Sequence, residues 1–239
     1  MIPIPLNDDL RRRTFWTATL LLIAANTLVF FYELSLGREL NRLVYLFGVI
    51  PARYTTPHGW VILSVTGLLV PIFVSMFLHA GWLHLIGNML FLFVFGRSVE
   101  DRFGHGKFIL LYFVSGLAAS LLHIELNAGS RLPSIGASGA IAGVLGAYFV
   151  CFPRARITTL IYLVFFFWTF RLPALLVLGY WFLIQFFMGY QALAIESATT
   201  GGVAWWAHVG GFLTGIILGL VLPPRRGKSW SAAPVPHWT

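Results

Sequence analysis

The sequence predicts an all-α polytopic membrane protein, and its composition and long uncharged segments carry that prediction. Of the 239 residues, 58% are hydrophobic and only 10% are charged, whereas about a quarter of the residues in soluble domains are charged. A helix needs roughly 20 apolar residues to cross a bilayer core. Uncharged segments near or above this length cover residues 14–32, 108–124, 132–153, 172–195 and 197–224. A water-soluble globular protein is therefore excluded.

The distribution of basic residues decides how many segments span the membrane. Two segments are ambiguous, because Gly67 and Pro71 interrupt residues 59–78 and because 157–170 is short. Without them, the predicted spans are 14–33, 82–97, 107–125, 137–153, 171–190 and 204–222. One side of the membrane then receives Arg11, Arg12, Arg13, Arg97, Arg102, Lys107, Arg154, Arg156, Arg171, Arg225, Arg226 and Lys228. The other side receives Arg38, Arg42, Arg53 and Arg131.

This unequal split favours six transmembrane helices with both termini in the cytoplasm, because cytoplasmic loops carry an excess of Lys and Arg. Counting both ambiguous segments as spans would divide the charges equally. We therefore predict a multi-pass protein of the cell (inner) membrane, in which residues 59–78 belong to a membrane-embedded first outer loop. The domain covers 14–222, between a short cytoplasmic tail, 1–13, and a disordered cytoplasmic tail, 223–239. The basic clusters form no continuous stripe, which argues against nucleic-acid binding.

Polar side chains within the predicted spans mark a candidate site, because such groups are costly in a membrane. His79, His84 and Asn88 lie in the segment HAGWLHLIGNM. His84 and Asn88 are four residues apart on one helix face and can both donate hydrogen bonds to one point. The alternative is that they bond only each other or a neighbouring helix.

A serine and a histidine begin the fourth and sixth predicted spans. Ser138 lies in the segment GASGA, between Gly136 and Gly139, and the free N–H groups of a helix N-terminus surround it. His208 shares a helix face with Gly211 and Gly215. The two glycine-lined helices can pack closely, and this brings His208 to the depth of Ser138. The alternative for the serine segment is that its small residues serve packing alone.

Together these side chains suggest acyl-transfer chemistry. A serine hydroxyl needs a neighbouring base, and His208 can take the proton of Ser138 and return it to the leaving amine. His84, Asn88 and the Ser138 N–H could stabilise the oxyanion. Because no Asp or Glu is placed to orient His208, we expect a dyad. The sequence has no HExxH segment and a single cysteine, so we predict no metal and no cofactor.

The three segments HAGWLHLIGNM, GASGA and AHVGGFLTG, in this order on the second, fourth and sixth spans, resemble the rhomboid intramembrane serine proteases. Glu100 and Arg102 match the E-x-R-x-G segment of that family. The resemblance implies Ser138 as nucleophile, His208 as base and acid, and His84 and Asn88 in the oxyanion hole. It also implies cleavage of single-span transmembrane proteins near the outer ends of their spans in the lipid bilayer. We expect structural roles for Glu100 and Arg102, and a supporting hydrogen bond from His79.

Two departures from the family pattern stand out. Arg53-Tyr54 is only a loose counterpart of the Trp-Arg pair that some bacterial members have in the first outer loop. Ala142 replaces the Tyr or Phe that many members have four residues after the serine, so we expect Trp205, Trp206 or water to fill the space beside His208. The alternatives from other classes are a client-binding pseudoprotease, which should lack the serine or histidine, and a transporter, which should have acidic residues within its spans. The sequence has no pattern that fixes an oligomeric state.

Overall fold

The computed structural model describes residues 4–56, 64–163, 166–194 and 203–225, and most of them are helical. The helices are α1 Thr17–Ser35, α2 Leu40–Phe47, α3 Ala52–Thr55, α4 Val65–Val74, α5 Trp82–Phe103, α6 His105–Leu126, α7 Ser138–Cys151, α8 Ala174–Ala194 and α9 Trp205–Val221. The strands are β1 Ile4–Asp8, β2 Arg156–Leu163 and β3 Phe166–Pro173. A π-helical turn, Leu92–Gly96, lies within α5. Most of the predicted tail 223–239 and part of the first outer loop lie outside the described residues.

Within the described residues, four helices are long and apolar enough to cross a membrane: α1, α5, α6 and α8. The helices α7 and α9 are apolar but have only 14 and 17 residues. At a rise of 1.5 Å per residue they are roughly 21 and 26 Å long, somewhat shorter than a hydrocarbon core of about 30 Å. The chain is thus a mostly helical multi-pass membrane protein, and the count of six spans stays a prediction.

The expectation that every element is helical is wrong at one end of the bundle, where three strands form an antiparallel sheet in the order β1-β2-β3. The ambiguous segment 157–170 is the greater part of a hairpin, in register from Arg156 opposite Pro173 to Leu163 opposite Phe166. Its β-branched and aromatic residues favour strands. The segment is largely apolar and shows no clear alternation, so its sequence did not reveal the two strands. Strand β1 pairs with β2 and lies within residues 1–13, which the sequence analysis predicted to be a short tail.

A buried carboxylate holds β1 against the helices. Asp8 accepts hydrogen bonds from Ser98 Oγ in α5 at 2.6 Å and from the Tyr148 hydroxyl in α7 at 3.0 Å. It also pairs with Arg12. These bonds satisfy a charge that would be costly if it were buried alone. They tie the N-terminal strand to two helices at the end of α7 that lies away from Ser138.

The start of α1 is capped by side chains from the last turn of α5. Glu100 accepts from the backbone N–H groups of Ala18 at 2.8 Å and Thr19 at 2.7 Å, and Asp101 accepts from the Thr14 N–H at 2.9 Å. The first N–H groups of a helix have no partner within it and favour negative charge. Glu100 therefore caps the first turn of α1, and Asp101 holds the chain three residues before the helix begins.

The first loop after α1 folds over the beginning of α7. A backbone bridge joins Val49 to Ser134, and the Tyr54 hydroxyl donates to the Leu68 carbonyl at 2.8 Å. In α4 the side chains of Leu68 and Ile72 are buried, while Leu69 and Phe73 are exposed. One face of α4 thus packs on the protein, although Pro71 lies within the helix.

The helices α7 and α9 pack backbone to backbone. A Cβ atom placed on Gly211 would lie 2.0 Å from the Gly139 carbonyl oxygen, and one on Gly215 would lie 1.8 Å from the Gly143 oxygen. Such distances leave no room for a methyl group. Glycine at these positions lets the two helices approach closely, as small residues do in membrane proteins. This contact sets the distance between the two ends that carry Ser138 and His208.

Candidate active site

Ser138 and His208 are in direct contact. Ser138 is the first residue of α7 and His208 lies in the first turn of α9. The Ser138 Oγ and the His208 Nε2 are 2.8 Å apart, which is hydrogen-bond distance. The imidazole is only 8% exposed, so water has little access to it. The structure therefore brings together the two residues that the sequence suggested as nucleophile and base.

A sharp turn at Gly136 precedes Ser138 and makes room for His84. Gly136 has φ of +129°, a conformation that residues with a Cβ rarely adopt. A Cβ there would also lie 2.8 Å from the His84 Nε2. The Gly136 N–H donates to the Ser75 carbonyl at 2.8 Å, which holds the turn. The His84 ring consequently lies against the backbone beside Ser138.

His84 and Asn88 are held by local hydrogen bonds. The Ala80 N–H donates to His84 Nδ1 at 3.3 Å, which leaves the ring proton on Nε2 as a donor facing the Gly136 turn. The Asn88 amide donates one hydrogen to the His84 carbonyl at 2.9 Å and keeps a second one. The first bond within α7 is Ile141 N–H to the Ala137 carbonyl, so the earlier N–H groups of that turn are not used by the helix.

His79 lies beside His84 and not beside Ser138. Its Nδ1 is 3.2 Å from the Phe77 carbonyl, and its backbone N–H donates to the Glu33 carboxylate at 3.1 Å. The rings of His79 and His84 meet edge to face with their centroids 5.1 Å apart. His79 thus contacts the His84 ring by packing, and its hydrogen bonds go to groups outside the site.

The sequence analysis missed Gln185. Its side chain is buried in α8, and its Oε1 lies 2.7 Å from the His208 Nδ1. The search for a group that orients the histidine considered only Asp and Glu. A signal was present, because an amide in the middle of an apolar span is as unusual as the other polar residues that were considered.

Trp181 packs on His208, a contact that the expectation of Trp205, Trp206 or water did not include. The Trp181 and His208 centroids are 5.7 Å apart, with an angle of 36° between their planes. Trp205 lies farther away, at 6.4 Å and edge-on. The contact comes from α8, a helix whose register against α9 cannot be read from local spacing. Ala142 is itself fully buried against α9.

A small cavity of about 30 Å³ lies next to Ser138. Ser120, His123 and Ser134 contribute polar groups to its lining, and Met76 and Ala207 contribute apolar ones. Its volume exceeds the roughly 10–15 Å³ that one water molecule needs. Within the described residues, no group of three or more His, Cys, Asp or Glu side chains could hold a metal ion. The arrangement suits acyl transfer by a serine with a small space beside it.

Known proteins resemble this chain over most of its length. A family model for the Rhomboid domain matches residues 66–225. RHOMBOID-like protein 6, mitochondrial, of Arabidopsis thaliana is 31% identical over 65% of this chain and 44% of the relative. Rhomboid protein 1, mitochondrial, of Saccharomyces cerevisiae is 33% identical over 61% of this chain and 39% of the relative. Rhomboid protease GluP of Bacillus subtilis is 36% identical over 55% of this chain and 24% of the relative. The matched region is less than half of each relative.

An aromatic residue at position 142 should not fit. We expect Ala142→Phe to lose activity and to destabilise the protein by about 1–3 kcal/mol, because the new ring would overpack the contact between α7 and α9. Thermal unfolding and cleavage rate, measured on the same preparation, check this. Ala24→Phe, at an exposed position of α1, is the matched control. Normal stability and activity of Ala142→Phe would contradict the close packing described here.

Proposed function

The chain belongs to the rhomboid family, and we propose that it is an intramembrane serine endopeptidase that acts through Ser138 and His208. The observation that carries the proposal is the 2.8 Å contact between Ser138 Oγ and His208 Nε2 at the start of two apolar helices. A relative that is 36% identical over 132 residues is named a rhomboid protease. The family relation and the site geometry therefore support the same chemistry.

In the proposed reaction, Ser138 Oγ attacks the carbonyl carbon of a peptide bond while His208 Nε2 takes its proton. The peptide nitrogen leaves after it receives this proton from His208, and an acyl-enzyme remains on Ser138. A water molecule then repeats the sequence in the second half-reaction, with its proton again passing through His208. The product acid leaves, and Ser138 regains its hydrogen.

The negative charge that develops on the carbonyl oxygen needs donors already in place. We assign this role to the His84 Nε2–H, the second hydrogen of the Asn88 amide and the Ser138 backbone N–H. Local bonds to Ala80 and to the His84 carbonyl hold the first two side chains. Donors held in this way need no reorganisation during the reaction, which supports the assignment.

The proposed substrates are single-span transmembrane proteins, which reach the site from the lipid bilayer. Ser138 is half-buried, and the cavity beside it has room for only a small side chain or water. We therefore expect cleavage after a residue with a small side chain. This preference for a small side chain is part of the proposed serine endopeptidase function.

The proposed topology has six spans, with the membrane domain at 14–222 and the tails 1–13 and 223–239 in the cytoplasm. The uneven distribution of basic residues supports it. So does the mutual contact of Ser138 and His208, each at the N-terminal end of its helix, because both helices then begin on the same side. We place the protein in the cell (inner) membrane of its source organism.

Reporter tags test this topology. Tags at the two termini should be protected from reagents outside intact cells, and a tag inserted at residues 127–130 should be accessible. A tag at residues 153–155, between α7 and β2, provides an inner-side control. Detection of the two termini on opposite faces would overturn the six-span arrangement.

Ser138 and His208 should behave as one unit in mutagenesis. Ser138→Ala and His208→Ala should each lower kcat by on the order of 10³-fold or more, and the double variant should be little worse than either, because each residue needs the other. Cleavage of a panel of single-span substrates by purified protein gives the rates. A fluorophosphonate probe should label the wild type but not Ser138→Ala. A wild-type rate for pure Ser138→Ala would require a different nucleophile.

Loss of the Asn88 amide should slow the reaction without weakening substrate binding. We expect Asn88→Ala to lower kcat by about 10²-fold with little change in KM, as for other preorganised oxyanion donors. Asn127→Ala is the matched control, because the Asn127 amide makes the same bond to a carbonyl four residues earlier, His123, at 3.0 Å. An increase in KM alone would indicate that Asn88 binds substrate or supports the fold.

A further inference from the structure

We propose that Gln185 is a positioning residue that fixes the tautomer and the ring orientation of His208. This inference rests on the proposed function, because it concerns the base of that reaction. Gln185 lies in α8, and its side chain is only 2% exposed. Its Oε1 is 2.7 Å from the His208 Nδ1. This is the polar contact on the side of the imidazole opposite Ser138.

The orientation of the Gln185 amide is determined by its own backbone contact. The amide nitrogen, Nε2, donates to the Trp181 carbonyl one turn earlier in α8 at 3.2 Å. A flipped amide would bring two carbonyl oxygens together there. The amide oxygen must therefore face His208, and an amide oxygen can only accept a hydrogen bond. The proton on the His208 ring consequently lies on Nδ1.

This tautomer is the one that a general base needs. A neutral imidazole has one donor nitrogen and one acceptor nitrogen. With the proton on Nδ1, the Nε2 lone pair points to Ser138 Oγ, 2.8 Å away, and can take the hydroxyl proton. With the proton on Nε2, the ring would donate to the serine and could not act as base.

Water cannot easily replace the amide, because His208 is buried on this side. The same stretch of α8 holds the ring by packing, since Trp181 lies 5.7 Å from the imidazole centroid. Two successive turns of α8 thus act on His208, one through an aromatic contact and the other through a hydrogen bond. Loss of the bond would leave a buried N–H without a partner, and this penalty favours a different tautomer or ring position.

A set of α8 variants tests the role by kinetics. Gln185→Met keeps the length of the side chain but removes its acceptor, and it should lower kcat roughly 10- to 100-fold at unchanged KM, which is part of what a general base contributes. Gln185→Glu, in its neutral form, keeps a carbonyl oxygen toward Nδ1 and an O–H toward the Trp181 carbonyl, and it should recover most of that loss. Gln191→Met, at an exposed position of α8, is the matched control. Equal kcat values for Gln185→Met and Gln191→Met would overturn the proposal.

A second measurement does not require turnover. ¹⁵N NMR of histidine-labelled protein distinguishes a protonated from an unprotonated ring nitrogen, and comparison with His208→Ala assigns the signals. In the Ser138→Ala background, His208 should carry its proton on Nδ1, and adding Gln185→Met should abolish this preference. A proton on Nε2 in the parent, or an unchanged tautomer in the Met variant, would refute the role of Gln185. If wild-type protein cleaved no substrate, the protease proposal would fail while this readout still tested Gln185.

Discussion

The site depends on one contact, the approach of the α7 and α9 backbones. Lipid tails are as apolar as leucine, so close packing and polar bonds must hold membrane helices together where burial of apolar surface cannot. Gly211, about one turn after His208, meets the carbonyl of Gly139, the residue that follows Ser138. No side chain separates the two helices there, so a serine and a histidine at their first turns come within hydrogen-bond distance. A larger residue at Gly211 would push the two helices apart and move His208 away from Ser138.

Polar anchors at the other end of the bundle hold β1, α1, α5 and α7 together. Glu100 caps α1, and Asp8 joins β1 to α5 and, through Tyr148, to α7. Each of these carboxylates is buried, and each has several donors, so the cost of burying its charge is offset by specific bonds. They fix these elements relative to one another at the end of the bundle that lies away from Ser138 and His208.

The sequence predicted those site residues that belong to a local pattern. His84 and Asn88 follow helical spacing, and Ser138 and His208 each lie beside glycines that mark a close helix contact. Gln185 and Trp181 were not predicted, because nothing in the sequence of α8 shows which of its faces meets His208. The register of α8 against α9 depends on the tertiary structure. The hairpin was not predicted for another reason. Its strands are largely apolar on both faces and show neither helical nor alternating periodicity. The helices α7 and α9, by contrast, begin and end within two residues of the predicted spans 137–153 and 204–222.

The apolar helices around His208 favour a neutral amide over a carboxylate as the group that contacts its Nδ1. An Asp or Glu there would orient the ring equally well, but a carboxylate buried among apolar helices carries a large desolvation cost. Gln185 provides an acceptor oxygen without that charge, and its own nitrogen is satisfied by the Trp181 carbonyl. In the proposed mechanism, Gln185 would therefore orient the imidazole but do little to stabilise the imidazolium formed when His208 takes a proton. Stabilisation of the transition state must then rest more heavily on the donors facing the oxyanion, and it is at that position that His84, Asn88 and the first N–H of α7 converge in the proposed mechanism.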